Sequence, residues 1–306
     1  DGNLWMDLAT AMFCLGHRDL GLSIQAQALE IDRIYRRPAA IQPARFRLLM
    51  LMMPGDLAEN TPLDCLLESS DIDLIFYYLS PESPFTQPVP EHDAVMVAIS
   101  DSDSNQAMLA FLAQALVHWP KPVINAAQHI PATERGTLSQ IMQRAPGVVM
   151  PTTYRVKRRQ LGAVADSRLT LADLADGLSF PLILRPVGSQ AGRDLDRIDD
   201  PAALAAYLAK VDAPDFFLAR FVDYSSSDGR FRKFRIALIG GRPFACHMAV
   251  SSHWMVHYVN AGMYEDGAKR AEEAEFMANF EHFAERHRAA LNAIHQRLQL
   301  DYFCID

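Results

Sequence analysis

The chain has 306 residues, 50% of them hydrophobic and 22% charged. This balance excludes a disordered chain, and the length exceeds one compact core of average size, so two or more domains are expected. A formal net charge of -8 excludes a broad nucleic-acid footprint. In chain order, residues 3 to 37 read as two amphipathic helices around a break at Gly16-His17. Arg45 to Met52, Asp73 to Leu79, Asp93 to Ser100 and Pro122 to Asn125 read as strands, and Val148 to Met150 as the strand that closes the series. Between them, Pro62 to Glu68, a segment capped by Ser104 that runs to about His118, and Thr133 to Arg144 read as helices. Strands alternating with helices imply right-handed crossovers and a parallel sheet. In such sheets ligands bind beyond the carboxyl ends of the strands, which here carry Asp101 to Asn105 and Asn125. A helix cap with a turn explains that polar cluster equally well.

After Met150 the pattern changes. Pro151 to Arg155 leads into a helix with Lys157, Arg158 and Arg159. Pro181 to Pro186 is a short apolar strand with Arg185 at its end, followed by the small-residue loop Gly188-Ser189-Gln190-Ala191-Gly192. Exposed amides in such a loop can wrap an anion, and a guanidinium adds a second clamp. Pro201 to Lys210 reads as a helix and Phe216 to Val222 as a strand leading into the loop Asp223 to Gly229. Arg232 to Ile239 alternates basic and apolar residues and turns at Gly240-Gly241 into an antiparallel return over Arg242 to Val250. A loop with His253, Trp254, His257, Tyr258 and Asn260 follows, then one long helix over Glu272 to Leu298 and a strand ending at Asp306.

The four cysteines, at 14, 65, 246 and 304, have neither metal-ligand spacing nor a disulfide framework and read as reduced, partly buried thiols. His253 and His257 have a spacing that could bind zinc on a helix, but no third ligand stands near them. No apolar run is long enough to span a membrane and no signal peptide precedes the first helix, so a cytoplasmic protein without a membrane partner is expected. The sequence starts at Asp1 and stops at Asp306 inside an expected strand, which reads as missing termini.

The ordered parts from Pro181 to Asp306 resemble the ATP-grasp family. Those parts are the Pro-Leu-Ile-Leu-Arg-Pro strand, the small-residue loop, the strand into an acidic loop, the basic hairpin, the polar loop, the helix and the final strand ending in Asp. At the N-terminus, Trp5, Leu8, Gly16 and Ala28 sit at the spacing of one tetratricopeptide repeat, with Gly21 at its second small position and Arg33 where its proline usually stands. The whole resembles bacterial proteins that join such repeats to an ATP-grasp. The fold implied is α/β and α+β: a helical hairpin over 1–40, a small open parallel Rossmann-like pre-ATP-grasp domain over 44–150, and an ATP-grasp domain of two α+β subdomains over 151–306.

The resemblance also implies the chemistry. A carboxylate attacks the γ-phosphate of ATP, and an amine or thiol attacks the acyl phosphate. Arg185 stands where most members hold a lysine against the nucleotide phosphates. Gly188, Ser189 and Gly192 match the loop that closes over them. Arg220, Phe221 and Val222 match the hinge whose backbone pairs with adenine, with Ala219 in place of its usual glutamate. Asp223 or Asp228 would hold the ribose. Arg235 matches a strand arginine facing the phosphates, and Lys233 shares its face. His257 and Asn260 are expected on the substrate side, and Asp306 as the first magnesium ligand, the others lying on a following strand. The expected function is an ATP- and Mg-dependent carboxylate–amine or thiol ligase acting on a small carboxylate, amino acid or peptide. The alternative is a weak or inactive nucleotide-binding scaffold whose N-terminal helices hold a protein partner.

Overall fold

The computed structural model describes residues 2–190 and 192–306; Asp1, and Ala191 of the expected phosphate loop, lie outside the described residues. The fold is α/β followed by α+β, in two compact units, Asp1–Pro131 and Ala132–Asp306.

The first unit opens with helices α1 (Gly2–Cys14) and α2 (Arg18–Ile31). Gly21 lets the two approach closely, because a Cβ there would meet the Phe13 ring at 2.5 Å. The face that is buried carries Met6 and Ala9, whereas Trp5 and Leu8 are exposed. The helix does not run on to residue 37. The Asp32 carboxylate accepts from the Ile34 amide (2.9 Å), and the chain extends into strand β1 (Ile34–Arg37). Strands β2 (Phe46–Met52), β3 (Ile72–Tyr78) and β4 (Ala94–Val97) follow, then α3 (Gln106–Ala115) and β5 (Val123–Ile124). The sheet order is β1-β3-β2-β4-β5, with β1 antiparallel on the edge and the others parallel. Val148 to Met150 forms no strand; Val149 is 82% exposed, and β1 is the fifth member instead. Pro62 to Glu68 forms no helix, since Leu63 alone is buried and no apolar stripe exists to dock one. Ser104 does not cap α3: its hydroxyl pairs with Ser102, and Asn105 is the capping residue. The Asn105 amide donates to Glu59 (2.6 Å) and to the Ser100 carbonyl (3.0 Å), so the 101–105 cluster closes a turn.

The second unit carries α4 (Arg135–Ile141), β6 (Thr153–Lys157) and α5 (Arg158–Ala165), then β7 (Leu182–Pro186), β8 (Asp196–Ile198), α6 (Pro201–Lys210) and β9 (Asp215–Arg220). The segment expected to lead directly into a helix is thus the strand β6. The four strands form one antiparallel sheet, β6-β9-β7-β8. Leu182, Leu184, Phe216 and Leu218 point to one face and bury against Leu161, Val164, Leu204 and Leu208 of α5 and α6. A second sheet, β11-β10-β12, joins β10 (Phe231–Ile239), β11 (Arg242–Ser251) and β12 (Tyr302–Ile305). Helices α7 (Gly267–Ala278), α8 (Phe280–Arg286) and α9 (Arg288–Leu298) replace the single helix expected there. The break at Asn279 has a local cause, since its side-chain amide donates to the Glu275 carbonyl in competition with the backbone. Phe276 of α7 and Phe283 of α8 pack on Phe234. All four cysteines are exposed rather than partly buried. Among the described residues no helix is long and apolar enough to cross a membrane.

Candidate functional site

With Leu182, Leu184, Phe216 and Leu218 turned into the core, the alternate residues of the first antiparallel sheet share the other face. The register aligns Arg185 with Phe217 and Arg155, and Ile183 with Ala219, Arg197 and Thr153. That face therefore combines a small apolar floor (Ile183, Ala219, Phe217) with guanidinium groups at its margins. Arg155 is committed to Asp215 (3.1 Å). Arg185 is not committed to any carboxylate of the described residues. Its Nε donates to the Ser189 hydroxyl (3.1 Å), and its terminal nitrogen donates to the Ser189 carbonyl. Ser189 is itself buried, so the loop after β7 folds back over the guanidinium. Burial first, and the nearby Arg135 second, lower the Arg185 pKa to about 10. Arg135 stands at the start of α4, where Glu134 caps the helix through the Gly136 and Thr137 amides (2.9 and 2.7 Å). A half-buried Arg185 and an exposed Arg135 thus lie close enough to repel, and neither makes an ion pair to any described residue.

The loop then meets the second sheet. Gly192 has φ +73°, and a Cβ on it would lie 2.5 Å from Nε2 of His257. No side chain fits there. The Asn260 side chain accepts from the His257 amide (2.9 Å), which holds the imidazole-bearing turn in place. On β10, Lys233 lies opposite Ala249 and Arg235 opposite His247, with a bulge after Arg235. Both cations reach Asp306 at the end of β12: Arg235 through two hydrogen bonds (2.6 and 2.7 Å), Lys233 at 3.3 Å. Burial pushes the Asp306 carboxyl up, but the Arg235 and Lys233 charges outweigh it and hold it below the ordinary carboxylate value. Burial, joined by the charges of Lys233 and Arg235, pushes His257 and His247 below the ordinary imidazole value. Nδ1 of His247 is buried without a hydrogen bond.

The structure thus groups Arg185, Ser189 and Arg135 at one place, and Lys233, Arg235, His247, His257 and Asp306 at another, with Gly192 touching His257 between them. Gly188 lies on the exposed rim of the loop with φ +80°. The segment Arg220 to Val222 leaves the end of β9. The Phe221 amide donates to the Pro181 carbonyl (3.0 Å), and its ring sits under Arg197 (4.4 Å) and against Trp254 (5.9 Å). Of the two ribose candidates, Asp223 accepts from the Ser225 amide (2.9 Å). Asp228 is bound to Arg232 (2.8 Å), which also pairs with Glu272, so Arg232 is a structural cross-link and Asp228 its partner. His253 lies in a bend and His257 in irregular chain before a turn, neither on a helix, and among the described residues no three His, Cys, Asp or Glu side chains converge.

A resident magnesium does not fit these residues. The carboxylate expected to hold it, Asp306, has both oxygens on cations. Arg135 escaped the reading of the sequence, yet it breaks a local rule: a cation in the first turn of a helix opposes the macrodipole.

No family model matches the chain. Among solved structures it is similar to a D-alanine–D-alanine ligase from Bacillus anthracis complexed with ATP, at 13% identity and a TM-score of 0.47, covering 85% of this chain and 80% of that one. It is also similar to a RimK domain protein ATP-grasp from Sphaerobacter thermophilus, at 13% identity and a TM-score of 0.39 over 83% of this chain and 99% of that one. A third is the VanG D-Ala:D-Ser ligase from Enterococcus faecalis, at 11% identity and a TM-score of 0.46 over 85% of this chain and 84% of that one.

Proposed function

We propose that the chain is an ATP-dependent carboxylate–amine or thiol ligase of the ATP-grasp type. The observation that carries this reading is Arg185, half-buried without an ion pair to any described residue and close enough to the exposed Arg135 to feel its charge. Bringing two guanidinium groups together in a partly dry site is unfavourable unless a polyanion joins them. Nucleotide phosphates supply that anion, and Arg can grip them bidentately. The purine would lie on Ile183, Ala219 and Phe217, with its edge at the Arg220 to Val222 turn and its ribose near Asp223.

In the first step a carboxylate oxygen of the donor attacks the γ-phosphorus as the bond to the ADP oxygen breaks, giving an acyl phosphate and ADP. In the second the amine attacks the acyl carbon, phosphate leaves with the C–O bond electrons, and the amine loses a proton. Arg185 and Arg135 hold the phosphates before charge develops. Lys233 and Arg235 stand where the transferred phosphoryl would be met, released from Asp306 as it arrives. His257, neutral at pH 7 and packed on the loop, is placed to take the proton of the amine. Magnesium belongs to this proposal as part of the nucleotide substrate, since Asp306 is held by Arg235 and Lys233. The donor would be a small carboxylate, amino acid or peptide, matching the cations around it.

Calorimetric titration with ATP and magnesium tests the reading. Saturable binding is expected, weakened at least tenfold in Arg185→Ala, since charge-assisted contacts are worth roughly 1.5–3 kcal/mol. Absence of ATP binding, or an affinity that both Arg185→Ala and Arg135→Ala leave unchanged, would remove it. A nucleotide-binding scaffold is the second reading, favoured by the clamp on Asp306. ATP binding without turnover in the presence of any carboxylate and amine would select it.

A further inference from the structure

The first unit holds a cavity of about 170 Å³ between α1, the sheet and the connection that follows β2. The connection from β2 to β3 would ordinarily carry a helix packed on the sheet, because parallel strands are joined that way. Here it is irregular. The sheet residues Met50, Met52, Phe76 and Tyr78 are covered instead by α1 and by loose chain, and the space left over is the cavity. On α1 the lining residues are Asn3, Met6, Asp7, Thr10 and Phe13, which share one helical face.

The lining defines what fits. Met6, Met50, Met52, Phe13 and Phe76 make walls of thioether and aromatic groups, which favour contact with a ring. A space of about 150 Å³ takes a benzene-sized molecule, and here Asp7, Arg36, Arg37, Asp56 and Asp64 add charged groups to the lining. Of the buried polar side chains, Gln25 is spent on the Gly55 amide and carbonyl, and Asn60 on those of Met53. The Tyr35 hydroxyl donates to the Ala28 carbonyl (2.7 Å). Tyr78 differs from these. It is 8% exposed, it lines the cavity, and its hydroxyl makes no hydrogen bond to any described residue. Its oxygen is not sealed into apolar packing, so the hydroxyl is open to a molecule in the cavity. Burial, with Tyr35 and Asp64 nearby, pushes its pKa up to about 12, so it stays a donor at neutral pH.

We propose that this cavity is a binding site for a small single-ring aromatic molecule with one hydroxyl or comparable polar substituent, its ring among the methionines and its polar atom on the Tyr78 hydroxyl. The site depends on the first unit and not on the ligase reading.

The test uses the full chain with phenol and toluene as probes, followed by calorimetry and ligand-observed NMR. One saturable phenol site per chain is expected. Tyr78→Phe should weaken phenol about tenfold and leave toluene unchanged or tighter. Thr10→Trp changes an exposed α1 position at the cavity wall, spares the core, and should abolish both. No saturable binding of phenol to the wild-type chain, or a phenol affinity that Tyr78→Phe leaves unchanged, would overturn the proposal.

Discussion

At the scale of single residues, the second unit keeps its charges in unequal company. Arg232 is neutralised by Asp228 and Glu272, and Arg155 by Asp215, so those cations serve the fold. Among the described residues Arg185 has no such partner although it is half-buried, and that difference singles it out as a candidate. Burial, together with the charges of Lys233 and Arg235, shifts the two imidazoles of the second sheet. His247 and His257 both have folded values below the ordinary one of 6.5. A group depressed in this way binds its proton more readily in the unfolded chain. Stability is therefore complete above about pH 6.5 and is lost as pH falls through the folded values. Thermal melts from pH 7.5 to 5.0 should show a smaller loss in the double variant His247→Gln, His257→Gln than in the wild type. Equal losses in the two proteins would mean that these imidazoles do not carry the effect.

At the scale of elements, the loop after β7 does the joining. Gly192 combines a left-handed backbone with contact to His257, so two separate costs oppose a side chain there. The left-handed conformation alone costs an ordinary residue roughly 1–2 kcal/mol. Gly192→Ala should lower the melting temperature and weaken ATP binding. Adding His257→Gly should restore the steric part but not the backbone part. A single variant with unchanged stability and ATP affinity would show that the loop does not depend on this contact. The sequence made the strands around this loop legible. Leu182 to Pro186 and Phe231 to Ser251 are apolar or alternating runs bounded by proline and glycine, so local rules sufficed. The unpaired state of Arg185 and the role of Arg135 were not legible. Fifty residues separate the two, and neither neighbourhood records that a carboxylate is missing from the other. The same limit explains β1. Residues 34 to 37 continue a helical-looking stretch, and only pairing with β3, forty residues on, makes them a strand. It also explains α7 to α9, where an unbroken apolar period concealed side-chain competition at Asn279.

At the scale of the whole molecule, a local cationic cluster sits in a protein of net charge -8. The two fields have opposite signs for a nucleotide polyanion, and they differ in range. At about 0.01 M salt the screening length is near 30 Å, so the summed negative charge acts on an approaching ATP. At 0.15 M it is about 8 Å, and a nucleotide bound as proposed would respond mainly to Arg135, Arg185, Lys233 and Arg235. Association should consequently accelerate as salt rises over this interval, the reverse of ordinary electrostatic steering. Dissociation should accelerate too, because the charge-assisted contacts weaken slightly. Stopped-flow measurement with a fluorescent ATP analogue separates the two rates. In Arg185→Ala the acceleration of association should persist, since the net charge becomes more negative, while the salt sensitivity of dissociation should shrink. An association rate that falls steadily from 0.01 to 0.15 M would mean that the cationic cluster, not the net charge, governs the approach.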